Sequence, residues 1–123
     1  MIIIGSKDIP YDIIKKISSI DDIKNTQANS TLLFNFDIKI LKYTQANNLN
    51  SAVKINNIKE IMYSSIFEAK YIIVPNNLLI QAQKIANNYM FDSKILAIIQ
   101  NDDELEKAIL NEIDGVIYKH IIQ

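Results

Sequence analysis

The hydrophobic pattern in the second half of the chain predicts alternating strands and helices. Two apolar runs there lack the polar alternation of a half-exposed strand, and the segments between the runs carry apolar residues at helical spacing. In chain order the pattern predicts strand 71–74, helix 76–89, strand 95–99, helix 105–113 and strand 116–118. Apolar strands of this kind are typical of a parallel sheet that is covered on both faces.

The first half of the chain continues the alternation. The predicted elements are a strand at 32–36, a weak helix at 37–47, a strand at 52–55 and a helix at 57–68, so strands begin about every 20 residues.

The N-terminal region is less regular. Residues 13–17 predict a further strand, followed by a helix that starts at Ser19 with acidic residues in its first turn, although one helix over 9–26 is an alternative. Residues 1–12 form a loosely attached segment that could add an edge strand and a turn.

Together these elements predict one α/β domain over residues 1–123. We expect a three-layer α/β/α arrangement with helices on both faces of a mainly parallel sheet of five or six strands. Lysines inside strands guide the order, because a buried unpaired ammonium is costly and a strand at the sheet edge lets it reach water. Lys15, Lys16 and Lys54 therefore favour a flavodoxin-like order, with a Rossmann-like order as the alternative.

The stretch from Lys94 to Tyr118 also resembles successive units of a (βα)8 barrel in a generic way. A full barrel needs about 200 residues or more, so a closed monomeric barrel is excluded for this chain. A half-barrel that pairs with a second copy remains an alternative.

The composition of the chain limits the classes of partner and of chemistry that can be expected. The 123 residues carry a net charge of -1 and no arginine, which argues against nucleic-acid or anionic membrane binding. There is no cysteine, so disulfides and thiolate chemistry are excluded. No apolar run approaches the roughly 20 residues that span a bilayer, and we expect a cytoplasmic protein.

Polar residues at the carboxyl ends of the strands are the candidates for ligand binding, because open parallel sheets bind ligands at that edge. They are Asp37, Asn76, Asn77 and Asn101. Helix capping is the preferred explanation of such residues, since Asn57 with Glu60 and Asn101 with Glu104 have the spacing of a capping box.

Other chemistries lack the residues they need. The acidic set of a phospho-receiver domain does not assemble, and Gly5 and Gly115 are too isolated for a phosphate-binding loop. We expect Gly115 to serve a tight helix-to-strand turn, and His120 to lie at the surface. An edge position for Lys54 argues against a Schiff-base role. No metal, cofactor or catalytic residue is predicted.

The consecutive bulky residues Tyr89, Met90 and Phe91 cannot all face one core, so part of this cluster should form an exposed apolar patch. The sequence therefore predicts a non-catalytic interaction or structural module that forms a homodimer through these residues. A small-molecule-binding or enzymatic domain, with its site at the carboxyl ends of the strands, is the alternative.

Overall fold

A computed structural model describes all 123 residues and contains seven β-strands. Their bounds are β1 Ile2–Ile4, β2 Ile14–Lys16, β3 Thr31–Asn35, β4 Ser51–Lys54, β5 Tyr71–Val74, β6 Lys94–Ile99 and β7 Gly115–Tyr118. The strand predicted at 13–17 is β2, so the single helix over 9–26 is wrong. The edge strand considered within residues 1–12 is β1.

Five α-helices accompany the strands. They are α1 Ile38–Ala46, α2 Ile58–Ile66, α3 Leu79–Asn88, α4 Asp102–Leu110 and the short α5 Lys119–Ile122. Two 3-10 helices occupy Ile20–Asn25, after the predicted start at Ser19, and Asn76–Leu78. No helix of the structure has the length and apolar character required to cross a membrane.

All seven strands are parallel, and they lie in the order β1-β7-β6-β5-β4-β3-β2. The α/β class is confirmed, whereas the prediction of five or six strands is too low. From β2 to β7 each strand neighbours the next one in sequence, so both the flavodoxin-like and the Rossmann-like orders are wrong. The edge position predicted from the lysines is confirmed for β2 and wrong for β4, which lies between β3 and β5.

The two faces of the sheet are covered differently. On the outer face, strand residues such as Ile72 and Ile95 share one core with buried residues of α1–α4, for example Ile61 and Ala82. The buried residues of the inner face come only from strands, and α5 adds Ile121 and Ile122 at its margin. The three-layer arrangement is therefore wrong, because α1–α4 all lie on one face and the curled sheet buries its other face within itself.

The pairing register shows how the inner face is staggered. One row of inner-face neighbours runs from Asn35 in β3 through Lys54, Ile73 and Leu96 to Gly115 in β7. Such a stagger accompanies strand tilt in a barrel. However, β1 and β2 each pair on one side only, so the sheet stays open between them.

Gly115 lies inside β7 rather than in a turn, which corrects the sequence-based expectation. A Cβ atom at this position would come within 2.6 Å of the Ile2 carbonyl oxygen and 2.7 Å of Leu96 Cδ2. Glycine is therefore required here by the close approach of β1 and β6 to β7.

The turns from α1–α4 into the next strand all use the same backbone motif. In each one the second residue after the helix has left-handed backbone, with φ between 53° and 63°; these residues are Asn48, Glu68, Met90 and Glu112. After α4, the Glu112 N–H donates to the Ile109 carbonyl at 3.0 Å. The next N–H, of Ile113, donates to the Ala108 carbonyl at 3.1 Å. This is a Schellman motif, here built four times without glycine.

Candidate functional site

The carboxyl edge of the sheet holds the residues expected to bind a ligand, and two of them are helix caps. The Asp37 carboxylate accepts from the N–H groups of Lys39 and Ile40 at 2.9 and 3.3 Å. The Asn101 side chain accepts from the Glu104 N–H at 3.0 Å. Asn57 caps α2 in the same way. These oxygens therefore already satisfy free N–H groups of the first helical turns.

The other two predicted residues, Asn76 and Asn77, are exposed in the 3-10 helix after β5. Asn76 lines a cavity of about 260 Å³ between α3 and α4, on the outer side of the sheet. The five main cavities are not lined by Asp37, Asn77 or Asn101. The structure thus leaves the four predicted residues dispersed along the edge.

His120 is exposed, as expected, and lines a polar notch of about 280 Å³ beside Tyr118. The Tyr118 hydroxyl donates to Asp102 at 2.9 Å, and this bond raises the pKa of the tyrosine. No three His, Asp or Glu side chains are placed to hold a metal ion together.

A second polar group lies at the carboxyl end of the inner face, where sequence analysis placed no site. Lys16, Asn35 and Lys54 line a cavity of about 380 Å³ with Leu33 and Ile122 among its apolar walls. The alternation of strand side chains could have revealed this group, because Lys54 shares the inner face with Ala52. The polar group was not predicted because β4 was expected at the edge of the sheet.

The largest cavity opens at the opposite, amino end of the sheet and measures about 800 Å³. We call it the amino-end cleft. It lies between the end of α2, the turn after α3 and the starts of β4–β6; its apolar lining is Ile2, Met62, Ile66, Ala69, Tyr71, Tyr89, Met90 and Phe91. The cleft thus includes all three residues of the predicted patch.

The three aromatic and sulfur-containing residues do not all face solvent. Tyr89 and Met90 are 67% and 85% exposed, whereas Phe91 is partly buried against the outer core. Ile66, at the end of α2, lies in the same cleft and is 58% exposed. Sequence analysis missed Ile66 because an isolated exposed isoleucine in a helix has no local signature.

A charged cluster joins the cleft to the N-terminal segment. Asp12 accepts from the Lys70 ammonium at 2.6 Å and from the Tyr71 hydroxyl at 2.9 Å. The Lys70 hydrogen bond and then the Tyr71 bond lower the pKa of Asp12, and the Asp12 bond raises the pKa of Lys70. Burial, followed by the bond to Asp12, raises the pKa of Tyr71. The cluster therefore holds Asp12, in the segment that connects β1 to β2, against the start of the middle strand β5.

Comparison with known proteins finds no family model that matches this chain and no curated protein that resembles it.

Proposed function

We propose that the protein is a non-catalytic interaction module that self-associates through the amino-end cleft. The observation that carries this proposal is the exposure of Ile66, Tyr89 and Met90 around one cavity. At exposed fractions of 58%, 67% and 85%, each of these large side chains exposes on the order of 100 Å², so the three together expose roughly 300 Å².

The position of Met90 supports the proposal by comparison within the chain. The equivalent left-handed positions after α1, α2 and α4 hold exposed polar residues, namely Asn48, Glu68 and Glu112. Left-handed backbone costs a non-glycine residue roughly 1–2 kcal/mol, and an exposed methionine contributes little burial in return. Folding of the monomer therefore gives no reason for methionine at this turn, whereas burial against a partner does.

The charges around the cleft favour a second copy of the chain as the partner. Two lysines, Lys70 and Lys94, and two acidic residues, Glu68 and Asp92, line it. In a two-fold symmetric interface a side chain away from the axis lies opposite a different side chain of the partner, so a mixed set can pair with itself. The net charge of -1 adds little repulsion between copies.

A stable interface buries about 800 Å² on each partner, with an apolar centre and a polar rim. The patch can supply the apolar centre, and the charged residues Glu68, Lys70, Asp92 and Lys94 around it can supply the rim.

Sedimentation velocity over a concentration series tests the proposal. We expect a concentration-dependent dimer, and we expect Met90→Asn to weaken it about tenfold or more because a central apolar anchor is lost. Asparagine tolerates left-handed backbone, so this variant should fold. Leu110→Asn is the matched control, since Leu110 is 76% exposed at the end of α4 but outside the cleft.

A wild-type chain that stays monomeric up to about 1 mM, the limit of weak association, would refute the proposal. Equal weakening by Met90→Asn and Leu110→Asn would also refute it, because general surface apolarity would then drive association.

A further inference from the structure

Two lysines without counterions meet at the carboxyl end of the inner face. Lys16 in β2 pairs in register with Leu33 of β3, and Lys54 in β4 pairs with Asn35 of the same strand. The two lysines therefore flank β3, with backbones roughly 12 Å apart, because they are separated by two strand spacings across the sheet and two residues along it. The flexible four-carbon stem of lysine allows both ammonium groups to reach one ligand between them.

Neither ammonium is neutralised within the protein. The only salt bridge of the chain joins Lys70 to Asp12 at the other end of the sheet. Asp22 lies at the rim of the cavity, but its carboxylate accepts hydrogen bonds from the backbone N–H and the hydroxyl of Ser18. Two like charges at one cavity repel each other, and a bound anion would relieve that repulsion.

Apart from the two lysines, the cavity is lined by four apolar residues and by the polar residues Ser18 and Asn35. Leu33, which is buried in the inner core, and Ile122 of α5 line it together with Asn35, whose amide can donate a hydrogen bond. Its volume of about 380 Å³ lies within the range of about 300–1,000 Å³ found for small-molecule sites. A cationic wall above an apolar floor suits a carboxylate that carries a short hydrocarbon tail.

We infer that this cavity binds a small aliphatic monocarboxylate. The carboxylate lies between Lys16 and Lys54, and the tail lies against Leu33 and Ile122. The chain has neither arginine nor a glycine-rich loop for bidentate or backbone recognition of phosphate, so a carboxylate is the better fit. The inference is independent of self-association, because the cavity shares no residue with the amino-end cleft.

Titration of the 15N-labelled protein with hexanoate, followed by NMR, tests the inference. We expect saturable shifts of the Leu33 and Ile122 amide signals. Lys54→Met and Lys16→Met keep the side-chain stem but remove the charge, so each should weaken binding about tenfold, the loss expected for one charged hydrogen bond. Lys15→Met is the matched control, since Lys15 is the exposed neighbour of Lys16 and lies outside the cavity.

Two further ligands test the contributions of the negative charge and the hydrocarbon tail to binding separately. Hexanol has the tail without the charge and inorganic phosphate has the charge without the tail, so both should bind much more weakly than hexanoate. The inference is overturned if hexanoate gives no saturable shift or if Lys15→Met weakens binding as much as Lys54→Met. Binding of hexanol or phosphate as tight as that of hexanoate would overturn it too.

Discussion

Replacing Glu112 by glycine should stabilise the protein, although a glycine inside a helix normally destabilises it. Glu112 is exposed, has φ of 57° and makes no side-chain hydrogen bond or salt bridge. Its contribution to folding therefore comes from its backbone, which donates to the Ile109 carbonyl in the Schellman motif after α4.

The size of the effect follows from two opposing terms. Glycine removes the cost of roughly 1–2 kcal/mol that a residue with a side chain incurs in left-handed backbone. It also raises the conformational entropy of the unfolded chain, which lowers the free energy of unfolding by about 0.4–1 kcal/mol. The net gain should be about 0.5–1 kcal/mol. With an unfolding entropy near 2.1 cal/mol/K per residue, the 123-residue chain should melt about 2–4 °C higher.

Thermal unfolding and urea titration monitored by circular dichroism provide the assay. Glu106→Gly is the matched control, because Glu106 is an exposed glutamate within α4 and should lose about 1 kcal/mol on the same substitution. Asn48→Gly should gain less than Glu112→Gly, since asparagine tolerates left-handed backbone better than glutamate.

Opposite signs for Glu112→Gly and Glu106→Gly are the decisive result. If both variants lose stability, Glu112 is not in left-handed backbone and the description of the four turns fails.

Four other substitutions test three separate features by urea denaturation. Asp12→Asn should cost at most about 1 kcal/mol, because the pair with Lys70 is partly exposed. The lowered pKa of Asp12 gives stability that is lost as the pH falls below about 4, and the raised pKa values of Lys70 and Tyr71 give stability that is lost above about pH 10. The difference between wild type and variant should therefore be largest near neutral pH; a pH-independent difference would exclude the charge cluster as its cause. Gly115→Ala should cost about 1–3 kcal/mol through the clash with the Ile2 carbonyl, and a neutral result would contradict the tight pairing of β1 with β7. Ile73→Ala, at a fully buried residue of the middle strand, should cost about 2–5 kcal/mol. Ile98→Ala should cost less because Ile98 is partly exposed, and the reverse order would contradict the placement of the two residues on the inner face.

The elements themselves could be predicted from the sequence because they depend on local patterns. The strand predicted at 71–74 has the observed bounds, and the strand predicted at 52–55 is displaced by one residue. The helix starts followed from residues such as Asn57 and Asn101, whose side chains satisfy N–H groups within the same turn.

The layers could not be predicted in the same way. An apolar run such as Ile72–Ile73 predicts that both faces of the strand are buried, whether helices or other strands pack against them. Here Ile72 faces the helices and Ile73 faces the other strands of the curled sheet. The sequence pattern contains no signal that separates these two environments.

The position of Lys54 shows why the strand order was also misjudged. The predicted order lets a strand lysine reach water only at a lateral edge of the sheet. In a curled sheet the carboxyl end of the inner face is a second route to solvent, and Lys54 uses it while its strand lies between two others. The wrong edge position of β4 also concealed the lysine-lined cavity.

The parallel direction of the strands places the two proposed surfaces at opposite ends of the sheet. Strands of three to six residues separate these ends by about 10–20 Å of rigid, hydrogen-bonded structure. We therefore expect Met90→Asn to bind hexanoate as the wild type does, and Lys54→Met to self-associate as the wild type does. Coupling between two sites is reciprocal, so any effect of hexanoate on dimerisation must equal the effect of dimerisation on hexanoate affinity. If one substitution changes the property of the distant site and the other does not, the first has altered the fold. If hexanoate affinity and dimerisation strengthen or weaken each other equally, the curl of the sheet changes when either end is occupied.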